Sequence, residues 1–243
     1  MIPASVRYAR ASSVEHALGL LAEPDSRALA GGQSLVPVLK LRIARPSLLV
    51  DISRLELRGV STTDSELRIG ALTTWDELLR APELDRPALA ALPECAAGIG
   101  DLQVRNLGTI GGSLVHADPA SDMPAVLVAL GASLRLRSPA GERTVGAADF
   151  ALGPFTTMLG PQELVVEIVV PVPEPGSGSA YVSVEHPASG FALAGASALV
   201  RADGSRAVAL TGVGSRPELL TAGDPLEALA NAEILGDGFA PAE

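Results

Sequence analysis

"ALAGGQSLVPVLKLR", residues 28–42, places two adjacent glycines where an apolar strand ends and a polar residue where a helix begins. Gly31 and Gly32 let backbone amides approach a ligand without a Cβ in the way, and the following helix start carries unpaired N–H groups and partial positive charge. Ser34 is the expected N-cap of that helix. Pro37 then falls in the first turn, where an amide hydrogen has no intrahelical partner. Such a turn suits an anion such as a diphosphate, although an ordinary tight strand-to-helix turn reads the same way.

A second glycine cluster lies some eighty residues on. "VRNLGTIGGSLVHADPASDMPAVLVALGA" is read as a glycine turn at Gly108, Gly111 and Gly112, followed by Ser113 and a helix whose cap is Asp122 or Ser121. Pro124 is in the first turn of that helix, and Gly131 follows its last turn. Two such turns in separate α/β units can converge on one elongated ligand with two phosphates, a dinucleotide. Neither reads G-x-G-x-x-G, and no Gly-Lys-Ser/Thr occurs, so the Rossmann and P-loop readings are set aside.

Around these turns the chain divides in three. "VRYAR", "RALA" and "SLLVDI" are expected strands, and "SSVEHALGLLAE" an expected helix with Ser12 and Glu15 at capping-box spacing; the first unit covers residues 1–57. The second unit, 58–172, holds strands "SELRIGA", "ASLRLRS" and "ELVVEIVVP". Its helices are "TTWDELLRAPEL", capped by Thr73 or Thr74, and "RPALAALPECAAG". The Pro/Gly/Ser-rich "PVPEPGSGS" marks a boundary, and "AYVSVEH", "FALAGASALVRA" and "AVALTGVGS" are strands of a smaller unit, 173–243.

Composition excludes several function classes. With 47% hydrophobic and 19% charged residues the 243-residue chain is globular. Its formal net charge is −10 and Lys40 is its only lysine, so it has no basic surface for nucleic acid. The single cysteine, Cys95, and the scattered His16, His116 and His186 offer no metal-ligand spacing. His116, Asp118 and Asp122 supply too few donors for a hard cation, and no metal is expected. The start "MIPASVRYARASS" lacks the apolar core of a signal peptide, and no apolar run reaches the length of a bilayer span. A cytoplasmic protein is expected.

"AGGQSLVPVLKLRIARPSLLVDISRL" together with "RNLGTIGGSLVHADPASDMPAVLVALGA" resembles the FAD-binding medium subunit of molybdenum hydroxylases, the carbon monoxide dehydrogenase and xanthine dehydrogenase group. The likeness continues through "GPFTTMLGPQELVVEIVVP", "YVSVEHPASGFALAGASALV" and "ALTGVGSRP". It implies an α+β fold: a two-subdomain FAD-binding module of the vanillyl-alcohol-oxidase (PCMH) type, followed by a small α+β C-terminal domain. By the same resemblance the FAD diphosphate lies on Ala30, Gly31, Gly32, Gln33, Ser34 and Leu35. Thr109, Ile110, Gly111, Gly112 and Ser113 press from the other side, and Asp122 reaches a cofactor hydroxyl. No catalytic side chain is assigned. Tyr181 and Phe191 are candidates to wall off one face of the flavin, with packing in the small domain as the alternative.

The resemblance also implies a role and partners. Electrons come to the FAD subunit from an iron–sulfur small subunit and a molybdopterin large subunit and pass to an external acceptor. This chain cannot ligate clusters itself, because each needs four thiolates and it has one. Two departures are visible: Ser183 stands where relatives carry a lysine, and the chain stops at "GDGFAPAE" without their helical tail. These lend weight to an alternative, a stand-alone FAD-dependent oxidoreductase acting directly on a small molecule in the cleft between the FAD module and the C-terminal domain. A binding module that has lost its cofactor is a third reading. From the phosphate argument, bulky residues at Gly32 or Gly111 are expected to weaken FAD binding and leave the fold formed. Asp122→Ala is expected to cost the helix about 0.5–2 kcal/mol.

Overall fold

The computed structural model describes residues 2–220, 225–230, 234 and 235. The tail "GDGFAPAE", 236–243, lies outside them, as does much of the segment after residue 220.

The chain begins with β1 (Arg7–Arg10), α1 (Val14–Leu21), β2 (Ser26–Leu29), α2 (Leu35–Lys40) and β3 (Leu48–Asp51). These strands form a parallel sheet in the order β1-β3-β2, with Leu29, Asp51 and Arg10 in register at its carboxyl end. Ala17, Leu18 and Leu21 recur at helical spacing and bury against Ala9, Ala28 and Val50 of the sheet. The cap of α1 is Ser13, not Ser12: Ser13 Oγ accepts the His16 amide at 3.0 Å. Since the helix starts at Val14, its third position is His16, so Glu15 completes no capping box and sits instead near the positive end of the helix. Ser34 precedes α2 with helical backbone angles and makes no capping bond. A cap needs extended backbone to turn its side chain back onto the helix.

The second stretch contains β4 (Val60–Thr62), β5 (Glu66–Gly70), α3 (Trp75–Leu79), α4 (Ala91–Gly98), α5 (Leu102–Leu107), α6 (Ile110–His116), α7 (Met123–Ala129), β6 (Ser133–Ser138) and β7 (Gly141–Gly146). It continues through α8 (Ala147–Phe150), β8 (Ala151–Gly153) and β9 (Thr156–Thr157) to β10 (Leu164–Pro171). Five strands make an antiparallel sheet, β4-β5-β10-β6-β7. Its alternation sends Leu67, Ile69, Leu134, Leu136, Ile168 and Val170 into the core. Arg68, Glu167, Arg135, Glu142 and Arg137 face outward as a chain of ion pairs, of which Arg68 and Arg135 also line the hollow over this face. Thr74 caps α3 in a full capping box with Glu77, and Trp75 is core. α7 is buried all round, as its unbroken apolar sequence requires.

The last strands, β11 (Gly178–Glu185), β12 (Ala192–Val200), β13 (Arg206–Thr211) and β14 (Glu218–Leu220), form an antiparallel meander followed by α9 (Pro225–Ala230). One face of this sheet packs on α4 and α7. Among the described residues no helix is long and apolar enough to cross a membrane.

The segment at Gly111 and Gly112 is not a turn but the first turn of α6. Thr109 Oγ1 accepts the Gly112 amide at 3.2 Å, while the amides of Ile110 and Gly111 bond to the carbonyls of Thr73 (3.0 Å) and Ala71 (2.9 Å). Glycine is needed at 111 because a Cβ there would stand 2.6 Å from Ala71 O. A bulky residue at 111 therefore disrupts the fold, contrary to the reading from sequence. Asp122 likewise heads α7 without capping it: its backbone is already helical (φ −73°, ψ −50°), and its side chain turns elsewhere.

Candidate functional site

The glycine loop Ala30–Ser34 leaves the carboxyl end of β2, the end at which ligands bind in parallel α/β sheets. Gly32 has φ +74°, a left-handed conformation that side chains resist, and its carbonyl accepts Val36 N at 2.9 Å to start α2. Gln33 Nε2 bonds back to Gly31 O at 3.2 Å and stiffens the loop. Among the described residues the amides of Gly31, Gly32, Gln33, Ser34 and Leu35 have no acceptor. All five residues are only half-buried, so these donors remain available to a ligand.

What stands against this loop is the end of α5. A Cβ on Gly31 would overlap the Leu107 carbonyl and lie 2.7 Å from its carbon and 3.1 Å from Gly108 Cα. The two backbones meet there without side chains. α5 itself buries none of its residues, so short polar contacts hold it. Asp101 Oδ1 caps it by accepting Val104 N at 2.8 Å, and Arg105 reaches back to the carbonyls of Ile99 (3.2 Å) and Gly100 (2.7 Å).

α6 comes next along the same side. A Cβ on Gly112 would lie 3.9 Å from Ala30 Cβ, so the two glycine segments are neighbours. They do not contribute alike. The amides of Ile110, Gly111 and Gly112 are all engaged within the protein, and Ile110 and Gly111 are buried. Thr109 is buried too, which leaves half-buried Gly112 and Ser113 as the accessible part of that segment.

Asp122 is turned toward the third sheet, where its Oδ1 accepts the Tyr181 hydroxyl. Burial pushes the Asp122 carboxyl up from its ordinary range, the tyrosine bond pulls it down, and nearby Glu185 adds to the rise. Burial and the same carboxylate push the Tyr181 hydroxyl well up. The Tyr181 ring packs on the main core, whereas Phe191 is 47% exposed. Gly108 was read from sequence as part of the second glycine turn; Leu107 and Thr211 were not singled out. The carbonyl side of a close backbone contact leaves no residue-type signature, and a threonine at a strand end is unremarkable. Among the described residues no three His, Cys, Asp or Glu are grouped to hold a metal ion.

Residues 4–173 match the family described as "FAD binding domain in molybdopterin dehydrogenase". The chain is 44% identical over 207 residues to the glyceraldehyde dehydrogenase medium chain of Sulfolobus acidocaldarius, covering 84% of this chain and 73% of that one. To the carbon monoxide dehydrogenase medium chain of Hydrogenophaga pseudoflava it is 41% identical over 220 residues, covering 88% and 76%. A solved carbon monoxide dehydrogenase structure from Hydrogenophaga pseudoflava matches with a TM-score of 0.91 at 37% identity, over 100% of this chain and 92% of that one. The chain belongs to the FAD-binding family of the molybdopterin dehydrogenases, flavoproteins of the oxidoreductase class.

Proposed function

We propose that this chain is a redox subunit of the medium-chain kind, a PCMH-type FAD module of two subdomains whose loops hold the cofactor diphosphate. The observation that carries the reading is the row of unbonded amides from Gly31 to Leu35, bounded by a backbone contact that no side chain at residue 31 would permit. The residues fit an anionic dinucleotide on these grounds. Ala30 to Leu35 would hold the diphosphate through N–H groups. Thr109, Ile110, Gly111, Gly112 and Ser113 would form the opposing wall, with Gly112 and Ser113 facing the ligand. Asp122 would accept a hydrogen bond from a cofactor hydroxyl.

FAD, when bound, supplies the electron-carrying chemistry; the protein supplies binding, orientation and electrostatics. The amides offer fixed dipoles to the diphosphate charge in a loop, residues 30–35, that carries no basic side chain of its own. In this reading electrons arrive from a molybdopterin large subunit and an iron–sulfur small subunit and leave to an external acceptor. The names of the relatives support a multi-subunit setting, being medium chains of dehydrogenases. Affinity purification of the tagged chain from its own cells tests the role. Recovery with a large subunit and a small cysteine-rich subunit is the expected result. Recovery alone, with FAD and with turnover of a small molecule, overturns it in favour of a stand-alone oxidoreductase.

A further inference from the structure

Asp122 occupies a helix start yet contributes nothing to capping it. The segment that carries it, between α6 and α7, is held from outside by the third sheet. Thr211 Oγ1, at the end of β13, lies within donor distance of Pro119 O (3.2 Å) and Ser121 O (2.5 Å), and Gly212 N donates to Pro119 O at 3.0 Å. Tyr181 on β11 donates its hydroxyl to Asp122 itself. Between these two strands, in register with Thr211, lies Gly195 of β12. A Cβ there would stand 2.5 Å from Tyr181 Oη and 2.9 Å from Thr211 Cγ2, so the bare position lets both side chains reach the segment.

We propose that Tyr181 and Thr211 are positioning residues that turn the Asp122 carboxylate from its own helix toward the cofactor, coupling the seating of the third sheet to FAD affinity. This rests on the reading of Asp122 as a cofactor contact. Tyr181 takes one carboxylate oxygen and leaves the other outside that bond. Without the tyrosine, the carboxylate is free to swing back to the unpaired amides at the start of α7. Gly195 makes the arrangement possible, and neither strand's own pairing requires a glycine there.

FAD titration of the full-length chain, with flavin fluorescence as the readout, tests the proposal together with the melting temperature of the cofactor-free protein. Tyr181→Phe should weaken FAD binding about tenfold, the scale of one hydrogen bond to a charged group. In an Asp122→Ala background the same change should alter affinity less than twofold (about the error of such cycles). Equal losses in both backgrounds, or no loss in either, would overturn the proposal. Thr211 gives an independent arm: Thr211→Val should weaken binding, and Thr211→Ser, which keeps the hydroxyl, should restore it. Failure of serine to restore binding counts against the role. A wild-type chain that does not bind FAD overturns the site reading itself. A wild type that binds, with Gly32→Val weakened and Tyr181→Phe unchanged, overturns the positioning role alone.

Discussion

Gly31 lies so close to the Leu107 backbone that any Cβ would overlap the Leu107 carbonyl. Gly31→Ala must therefore force the first loop away from α5, with an expected cost of about 1–3 kcal/mol, the range for overpacking. Because the loop also carries the free amides, FAD affinity and melting temperature should fall together.

Gly32→Ala separates the two effects less sharply, for a different reason. A Cβ there meets Val36 Cγ2 at 3.1 Å, and the φ of +74° adds left-handed strain of about 1–2 kcal/mol. Gly32→Asn, which tolerates that region better, should recover part of the stability lost in Gly32→Ala. Thermal unfolding of the two variants decides it.

Gly111→Ala should destabilise the cofactor-free protein, since the new methyl would stand 2.6 Å from Ala71 O and 2.7 Å from Ala71 Cβ. A drop in stability of about 1–3 kcal/mol in urea is expected. An unchanged midpoint would show that α6 can shift away from Ala71.

Thr109→Ala removes a cap bond at a buried position, and a loss of about 0.5–2 kcal/mol follows. Thr109→Ser should recover most of it. Asp122→Ala, by contrast, should cost α7 no capping energy, because there is no cap bond to lose. Denaturant unfolding of the three variants distinguishes the cases.

Asp51 makes stability depend on acid pH. Burial raises its carboxyl pKa, but the Tyr8 hydroxyl, the Ser53 amide and Arg10 outweigh that and bring it from an ordinary 3.8 down to about 2. A pKa depressed in the folded state stabilises the protein above the unfolded value and loses that contribution as pH falls toward the folded one. The contribution is about 2 kcal/mol, lost between roughly pH 4 and pH 2. Asp51→Asn should be less stable at neutral pH and show a flatter stability profile across that window.

Cys95 is 1% exposed, and burial pushes its thiol well up. The folded protein should leave a thiol reagent unreacted, and one equivalent should react after denaturation.

Much of the fold was legible locally. The alternation of "SELRIGA" and "ASLRLRS" revealed strands with one wet face, and "MPAVLVALG" read as a helix closed by Gly131, which has φ +68°. The glycine pair at 31–32 was legible as a strand-to-helix loop because left-handed backbone and close approach both select glycine. The same residue type misled at 111–112. A helix tolerates glycine where another backbone presses on it, and nothing in the string "TIGG" names Ala71 as that neighbour.

Short-range pattern and residue type were enough for most strands, for α1 to α4 and α7, for the presence of two glycine segments and for the family, but not for α5 and α6. Tertiary structure alone decided which amides are free, that Gly31 meets Leu107, and that Asp122 is claimed by Tyr181 59 residues away. A hydrogen-bond donor is available only if no neighbour takes it, and those neighbours are chosen by packing between distant parts of the chain.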